Sequence, residues 1–285
     1  MELLLQVITN SILLGFVYVL VALGLSLIFG ILHIVNFSHG ALLILGGYMT
    51  YVFWKLIGGW PYAAIIPAML VLTVVGVVLY YVYLRFIPPQ EGLRQILGLV
   101  GFNMVLENVI LMVFGPGTVS ISSQLAFYRL GFININSKYL TAAILSVILV
   151  AVTFLILYRT SLGAKIRAVA DNPTAAGIVG INVTKIYFIA LCIGFLLTGA
   201  AGGVISTYYA VTPTGGIPFV ILAFTIVVLG GLGNLLGTVI GAFIISFVQN
   251  FTSVYLAPEL EFVMLFIIFL AIVVARPQGL IGGKA

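Results

Sequence analysis

The sequence predicts an all-α, polytopic membrane protein of about eight transmembrane helices, with its N-terminus outside and its C-terminus cytoplasmic. Three observations carry that reading. The 285 residues include only 11 Lys plus Arg and 6 Asp plus Glu, 6% charged, where a soluble domain carries roughly 25%. Mean hydropathy is +1.34. The apolar runs are long: no charge falls between Glu2 and Lys55, or from 186 to 258. So few charges cannot cover a water-exposed surface, which excludes an ordinary soluble enzyme, a nucleic-acid binder and a disordered chain.

A spanning helix uses about 20 apolar residues, so the whole chain, 1–285, is read as one transmembrane domain. The first span is 3–29; Met1-Glu2 offers no basic leader and no small-residue cleavage site follows, so it is read as a retained helix. Gly30 and the polar cluster His33, Asn36, Ser38, His39, Gly40 end it, and the next span is 38–57. Gly58-Gly59 and Pro61 open a third, 61–84, and Pro88-Pro89-Gln90-Glu91-Gly92 is the break before 95–115. Gly115-Pro116-Gly117 begins a polar connection, 116–138, which leads to a span at 139–158 and then to a polar loop, 159–185. The charge-free run after it is cut by Pro213-Thr214-Gly215-Gly216 and by Gly230-Gly231-Leu232-Gly233-Asn234 into 186–209, 217–231 and 236–257. The final span is 262–275. The Gly-rich boundaries at 30–40 and 230–237 leave open whether loops, broken helices or re-entrant turns lie there.

Orientation follows the basic residues. Arg85, Arg94, Arg159, Lys165, Arg167, Lys185, Arg276 and Lys284 fall on one side of the alternating spans, against Lys55, Arg129 and Lys138 on the other with Glu2, Glu259 and Glu261. Basic loops mark the cytoplasmic face.

Small residues recur at four-residue spacing, as Gly233, Gly237, Gly241 and as Gly194, Thr198, Gly202, Ser206. In lipid this lets helix backbones approach closely; the same glycines would suit helices that shift against each other. The loop 159–185 is too polar to span. Within it Asp171 or Asn172 can cap a helix with Pro173 at its first position. Ala175, Ala176, Ile178 and Val179 then give a short apolar face that stops near Gly180 and Asn182. It is either a solvated loop that sets topology or a docking helix for a cytoplasmic partner.

Two polar intrusions remain. Glu107, near Asn103 and Asn108, is the ionisable group within a span and costs several kcal/mol unless paired, protonated or wet. It reads either as a cavity-facing contact for a substrate ammonium or as a neutralised carboxyl between helices. His33–Gly40 reads either as a capped turn, with Asn36 or Ser38 as the cap, or as a helix start whose free N–H groups face a polar path. No Lys is followed by Ser or Thr, so the chain has no P-loop. Its single Asp, Asp171, rules out an Asp dyad. His33 and His39 have no nearby acids or thiols, so no metal site is expected. Cys192 stands alone, without a disulfide partner.

Four segments taken together, VNFSHGALLILGGY (35–48), KIRAVADNPTAAGIVGINVTK (165–185), VVLGGLGNLLGTVIGAF (227–243) and ARPQGLIG (275–282), resemble the permease subunits of branched-chain amino acid ABC importers, and more narrowly the shorter of their two permeases. The match runs in order over nearly the whole chain. Ser38 departs from the Ala common in the family's NFAHG-like run, and 116–138 carries no family signature.

The resemblance implies a non-enzymatic subunit of a prokaryotic inner-membrane importer that moves branched-chain amino acids inward by alternating access. Related permeases carry urea, short amides or other amino acids. An ion-coupled carrier, for which Glu107 alone is thin support, and a passive small-solute channel are the rival classes. The implied partners are a second related permease in a heterodimer, two cytoplasmic ATP-binding subunits, an extracytoplasmic substrate-binding protein and membrane lipid, with no nucleic acid. ATP and Mg would be used by the partner subunits and no cofactor bound by this chain. By the same resemblance, Asp171, Asn172, Pro173, Ala175, Ala176, Gly177 and Gly180 are candidates for coupling to the ATPase. Gly230, Gly231, Gly233, Gly237 and Gly241 would be helix-packing and hinge positions. Asn36, Ser38, His39, Asn103 and Glu107 stand as translocation-path candidates.

Overall fold

The computed structural model describes residues 2–87, 91–121, 127–130, 133–276 and 278–281. Pro88, Pro89 and Gln90 of the expected break, and Pro277, Gly282 and Lys284 near the C-terminus, lie outside the described residues. The helices are α1 (Glu2–Leu32), α2 (His39–Ile57), α3 (Ile65–Val82), α4 (Gly92–Phe114), α5 (Ser137–Arg159), α6 (Ser161–Asp171), α7 (Pro173–Ile178), α8 (Val183–Ser206), α9 (Gly216–Gly230), α10 (Leu235–Tyr255) and α11 (Glu261–Ala275). Among the described residues, eight helical segments are long and apolar enough to cross a membrane, and α9, at 15 residues, is a shorter apolar helix.

At the centre stand α1 and α8, with 67% and 72% of their apolar windows buried, whereas α11 has 6% and faces outward. Lipid gives helices no hydrophobic drive to associate, so close contact and polar staples hold them together. A Cβ on Gly24 would lie 2.8 Å from the carbonyl oxygen of Gly194, and one on Gly46 would lie 2.9 Å from that of Gly199. Both distances forbid a side chain. Hydroxyls add the staples: Thr238 Oγ1 donates to Ser26 Oγ at 2.7 Å, and Ser246 Oγ donates to the Ser11 carbonyl at 2.7 Å, tying α10 to α1. The small-residue ridges are thus packing surfaces.

The first and last described residues lie toward opposite ends of α1. Gln6 bonds to the backbone of Asn134, while Gly30 packs on Gly233, beside a turn to which Leu280 and Ile281 bond. About 24 residues of helix, some 36 Å, separate the two. Opposed ends require an odd number of crossings; the spans named from the sequence, 217–231 among them, number nine rather than eight, and the short helix α9 is the one that answers to 217–231. The connections sort accordingly: 115–121 and 207–211 join at the Gln6 end through the Val119–Val211 bridge, and 159–182, 231–234 and 276–281 lie at the other. Seven of the eight basic residues assigned to one side sit at that second end, the eighth being Lys284.

Two connections re-enter the bundle. After α1, residues 33–36 leave the helix without regular structure, and His39 at the start of α2 bonds through Nε2 to the carbonyl oxygen of Val21 at 2.9 Å. Val21 lies three turns back along α1. The soft boundary at 30–40 is therefore a re-entrant segment. Correspondingly α9 begins inside the bundle, where Gly216 meets Gly40 backbone to backbone. The boundary at 230–237 is a tight turn, with Gly231 at φ 104 and Gly233 at φ 80, conformations open to glycine. Within the connection 116–138 the sequence reading missed an antiparallel hairpin of β1 (Phe127–Leu130) and β2 (Ile133–Asn136), paired Phe127 to Asn136.

Candidate functional site

Residues 159–185, expected as one polar loop with a short capped helix in it, hold two helices, α6 and α7, and the start of α8. Thr160 caps α6 through its side-chain oxygen, which accepts from Gly163 N at 3.1 Å. Gly163 sits so close under the Leu157 carbonyl that any Cβ would overlap it, which lets α6 fold sharply back from α5. Arg167 locks the elbow: its guanidinium donates to the Leu157 carbonyl and lies 5.1 Å over the Tyr158 ring. Ile166 and Val169 are buried, so α6 lies on the bundle by an amphipathic face that was missed because its apolar residues are few.

The coupling candidates lie on α7 and at its two ends. Asn172, not Asp171, caps α7, accepting from Ala175 N at 2.9 Å, and Pro173 is the first helical residue, as the sequence predicts. Ile181 N bonds back to the Ala176 carbonyl at 3.0 Å, Gly180 turns the chain at φ 85, and Asn182 caps α8 on Lys185 N. Two asparagine caps ten residues apart thus hold α7 between α6 and α8. The expected apolar face is split. Ala176 is 3% exposed and points inward, while Ile178 and Val179 are 82% and 74% exposed. Asp171, Asn172, Pro173, Ala175 and Gly177 are exposed as well. Around Gly177 the nearest atom to an added Cβ is 4.0 Å away, and around Gly180 there is open space. At Gly177 the outward face of the helix therefore has room for a side chain, whereas Gly180, at φ 85, would be strained by one.

A cavity of about 490 Å³ opens beside this elbow, where Arg167 and Asp171 of α6 meet His33 and the α9–α10 turn at Asn234. Asn234 caps α10 through Gly237 N at 2.9 Å and donates to the Ile281 carbonyl at 2.7 Å, joining that turn to the C-terminal tail.

The glycines of 227–243 pack α9 on α10. A Cβ on Gly237 would overlap the Gly230 carbonyl, one on Gly241 would lie 2.7 Å from the Ile226 carbonyl oxygen, and one on Gly233 would lie 2.6 Å from Gly30 Cα. Gly231 receives the close approach of Gly279.

The path candidates form two separate groups. Asn36, Ser38 and His39 are buried where α2 re-enters, at 2%, 0% and 0% exposure. Asn36 Oδ1 accepts from Ser38 N at 3.1 Å and from Ser38 Oγ at 2.6 Å, fixing the turn. Ser38 gives α2 no side-chain cap. His39 Nδ1 is buried without a hydrogen-bond partner among the described residues. Asn103 and Glu107 are half-buried on α4, and Asn108 is exposed, bonding to the Met104 carbonyl. No ion pair involves Glu107 among the described residues. His33 is exposed at φ 55 while His39 is buried, so the two imidazoles occupy different surroundings. Cys192 is half-buried.

The chain is similar over most of its length to known transport proteins. A family model described as "Branched-chain amino acid transport system / permease component" matches residues 7–273. The high-affinity branched-chain amino acid transport system permease protein LivH of Escherichia coli (strain K12) is 26% identical, over 98% of this chain and 95% of the relative. The corresponding permease protein BraD of Pseudomonas aeruginosa is 24% identical, over 98% and 95%. Among solved structures, a chain of PsaBC from Streptococcus pneumoniae in complex with Fab superposes with a TM-score of 0.53 at 10% identity, covering 95% of this chain and 92% of that one, a likeness of fold.

Proposed function

Because the chain belongs to the family of branched-chain amino acid transport system permease components, we propose that it is the permease subunit of an ATP-driven importer of branched-chain amino acids. In this reading it lies in the inner membrane of a prokaryote with its charge-rich end in the cytoplasm. It pairs with a second related permease, two ATP-binding subunits and an extracytoplasmic binding protein. ATP and Mg are handled by the ATP-binding subunits, in keeping with the missing P-loop.

The observation that carries the reading is α7. A six-residue helix is capped at its start by Asn172 and followed by the Asn182 cap of α8, exposes Ile178 and Val179 nearby, and stands at the end where the basic residues gather. An exposed apolar helix braced in this way suits insertion into a groove of a cytoplasmic partner. Movement of that partner would be passed through α6 and α8. The Gly163–Leu157 contact ties α6 to α5, and α8 runs through the centre of the bundle against α1, α2 and α3. Transmission requires an element with two arrangements that both sites bias. The glycine seams of α8 and α9–α10, where backbones slide without interlocking side chains, are the proposed moving joints.

The re-entrant starts of α2 and α9 are the proposed lining of the path. Phe37, 41% exposed and 5.3 Å from Phe224 by ring centroids, offers an apolar surface there that suits an aliphatic side chain. Asn103 and Glu107 of α4 are the proposed polar contribution. The test is uptake of labelled leucine into proteoliposomes. Uptake that needs the ATP-binding subunits, the binding protein and ATP supports the proposal. Uptake by this chain alone contradicts it.

A further inference from the structure

We propose that the groove between the end of α3 and the start of α8 binds the phosphate headgroup of an anionic phospholipid, and that this lipid steadies the coupling helix α7. The groove has two lobes, of about 310 and 580 Å³, that share Tyr80, Arg85 and Thr184. Arg85 and Lys185 line it with the amide of Asn182, and among the described residues no acidic one lines either lobe. Neither cation is in an ion pair among the described residues. Arg85 is held instead by aromatic faces, 5.6 Å from the Tyr81 ring and 5.2 Å from the Phe86 ring. That leaves its charge directed to a ligand from outside.

The surface leading to the groove selects a lipid over a free anion. Val74, Val78, Tyr81 and Val82 are 61%, 55%, 50% and 71% exposed. At helical spacing they make one apolar stripe along α3 that runs directly to Arg85. An acyl chain laid on that stripe brings its phosphate to Arg85 and Lys185, with Tyr81 and Phe188 at the headgroup level where aromatic rings concentrate. Basic pockets between spanning helices at the cytoplasmic surface are suited to anionic headgroups. Asn182 and Lys185 sit immediately after α7, and Asn182 caps α8 on the Lys185 N–H. A headgroup there fixes the point at which the chain leaves α7 and enters the bundle.

The placement at the cytoplasmic leaflet rests on the proposed orientation, whereas binding itself is measured without the ATP-binding subunits and does not depend on the transport reading. Native mass spectrometry of the full chain released from mixed micelles compares dioleoyl phosphatidylglycerol with dioleoyl phosphatidylcholine. Phosphatidylglycerol is expected to be retained preferentially, with Arg85→Gln and Lys185→Gln each weakening retention about fivefold and the double variant about 25-fold. Lys165→Gln, an exposed cation at the same end outside the groove, is expected to change nothing. Both variant sites are exposed, so an elution profile like that of the wild type establishes folding. Equal retention by the double variant overturns the site. Protection against heat by inorganic phosphate equal to that by phosphatidylglycerol overturns the lipid as its occupant. Loss of a copurifying ATP-binding subunit in the double variant, with lipid retention intact, assigns the groove to that protein and likewise overturns the proposal.

Discussion

His39 at the first turn of α2 bonds through Nε2 to the carbonyl oxygen of Val21 at 2.9 Å, with both residues buried. The bond pins a re-entrant helix start to the middle of α1. Replacing His39 with Leu keeps an apolar volume but removes the bond, and is expected to cost about 1–2 kcal/mol, the range of polar contacts between membrane helices. Thermal unfolding of the purified protein in detergent checks this. An unchanged melting temperature would show that packing alone places α2.

Glycine substitutions divide by what a side chain would meet. Gly237→Ala drives a methyl into the Gly230 carbonyl and is expected to destabilise by roughly 1–3 kcal/mol, as overpacking does. Gly101→Ala on α4 meets nothing within 4 Å and should stabilise by about 0.5–1 kcal/mol through helix propensity. Melting temperatures that move in the same direction for both would refute the packing assignment of Gly230, Gly237 and Gly241.

Asn172 holds the start of α7 by one side-chain bond. Asn172→Ala is expected to lose about 1 kcal/mol of local stability, while Asn172→Asp, which caps equally well, keeps it. Hydrogen exchange across 173–178 reads this directly, and uptake should fall with the Ala variant and be retained by the Asp variant. Equal exchange in all three proteins would remove the cap from the account.

Glu107 is half-buried on α4 without an ion pair among the described residues. As part of the path, Glu107→Gln is expected to lower uptake while leaving the association of subunits unchanged. Uptake and its pH dependence identical to wild type would make the carboxyl a structural group only.

Much of this was legible in the sequence because lipid imposes simple rules. Charges and Gly/Pro clusters placed most span boundaries within a few residues: the expected 38–57 became His39–Ile57, and 262–275 became Glu261–Ala275. Asn172-Pro173 located α7 because a cap and an N1 proline are local signals. Three features could not be settled by local pattern. The re-entry of 33–38, one of the alternatives the sequence leaves open, is decided by a contact between His39 and a residue 18 positions earlier. The helix α6 buries only Gly163, Ile166 and Val169, too sparse a stripe to separate from a loop. The groove of Arg85 and Lys185 joins residues 100 positions apart, so their shared surface exists only in the folded chain.

The most direct test of the central claim is whether an ATP-binding subunit is held at α7. The tagged chain is purified from native membranes and the nucleotide-binding protein that accompanies it is quantified, for wild type and for Gly177→Trp. Because the nearest atom to a Cβ at Gly177 is 4.0 Å away, the variant should keep its fold and melting temperature, while the bulky ring blocks the outer face of α7. A stoichiometric ATP-binding subunit is expected with wild type, and its loss with Gly177→Trp. Wild type that purifies without such a subunit, or a variant that retains it in full, would contradict the account.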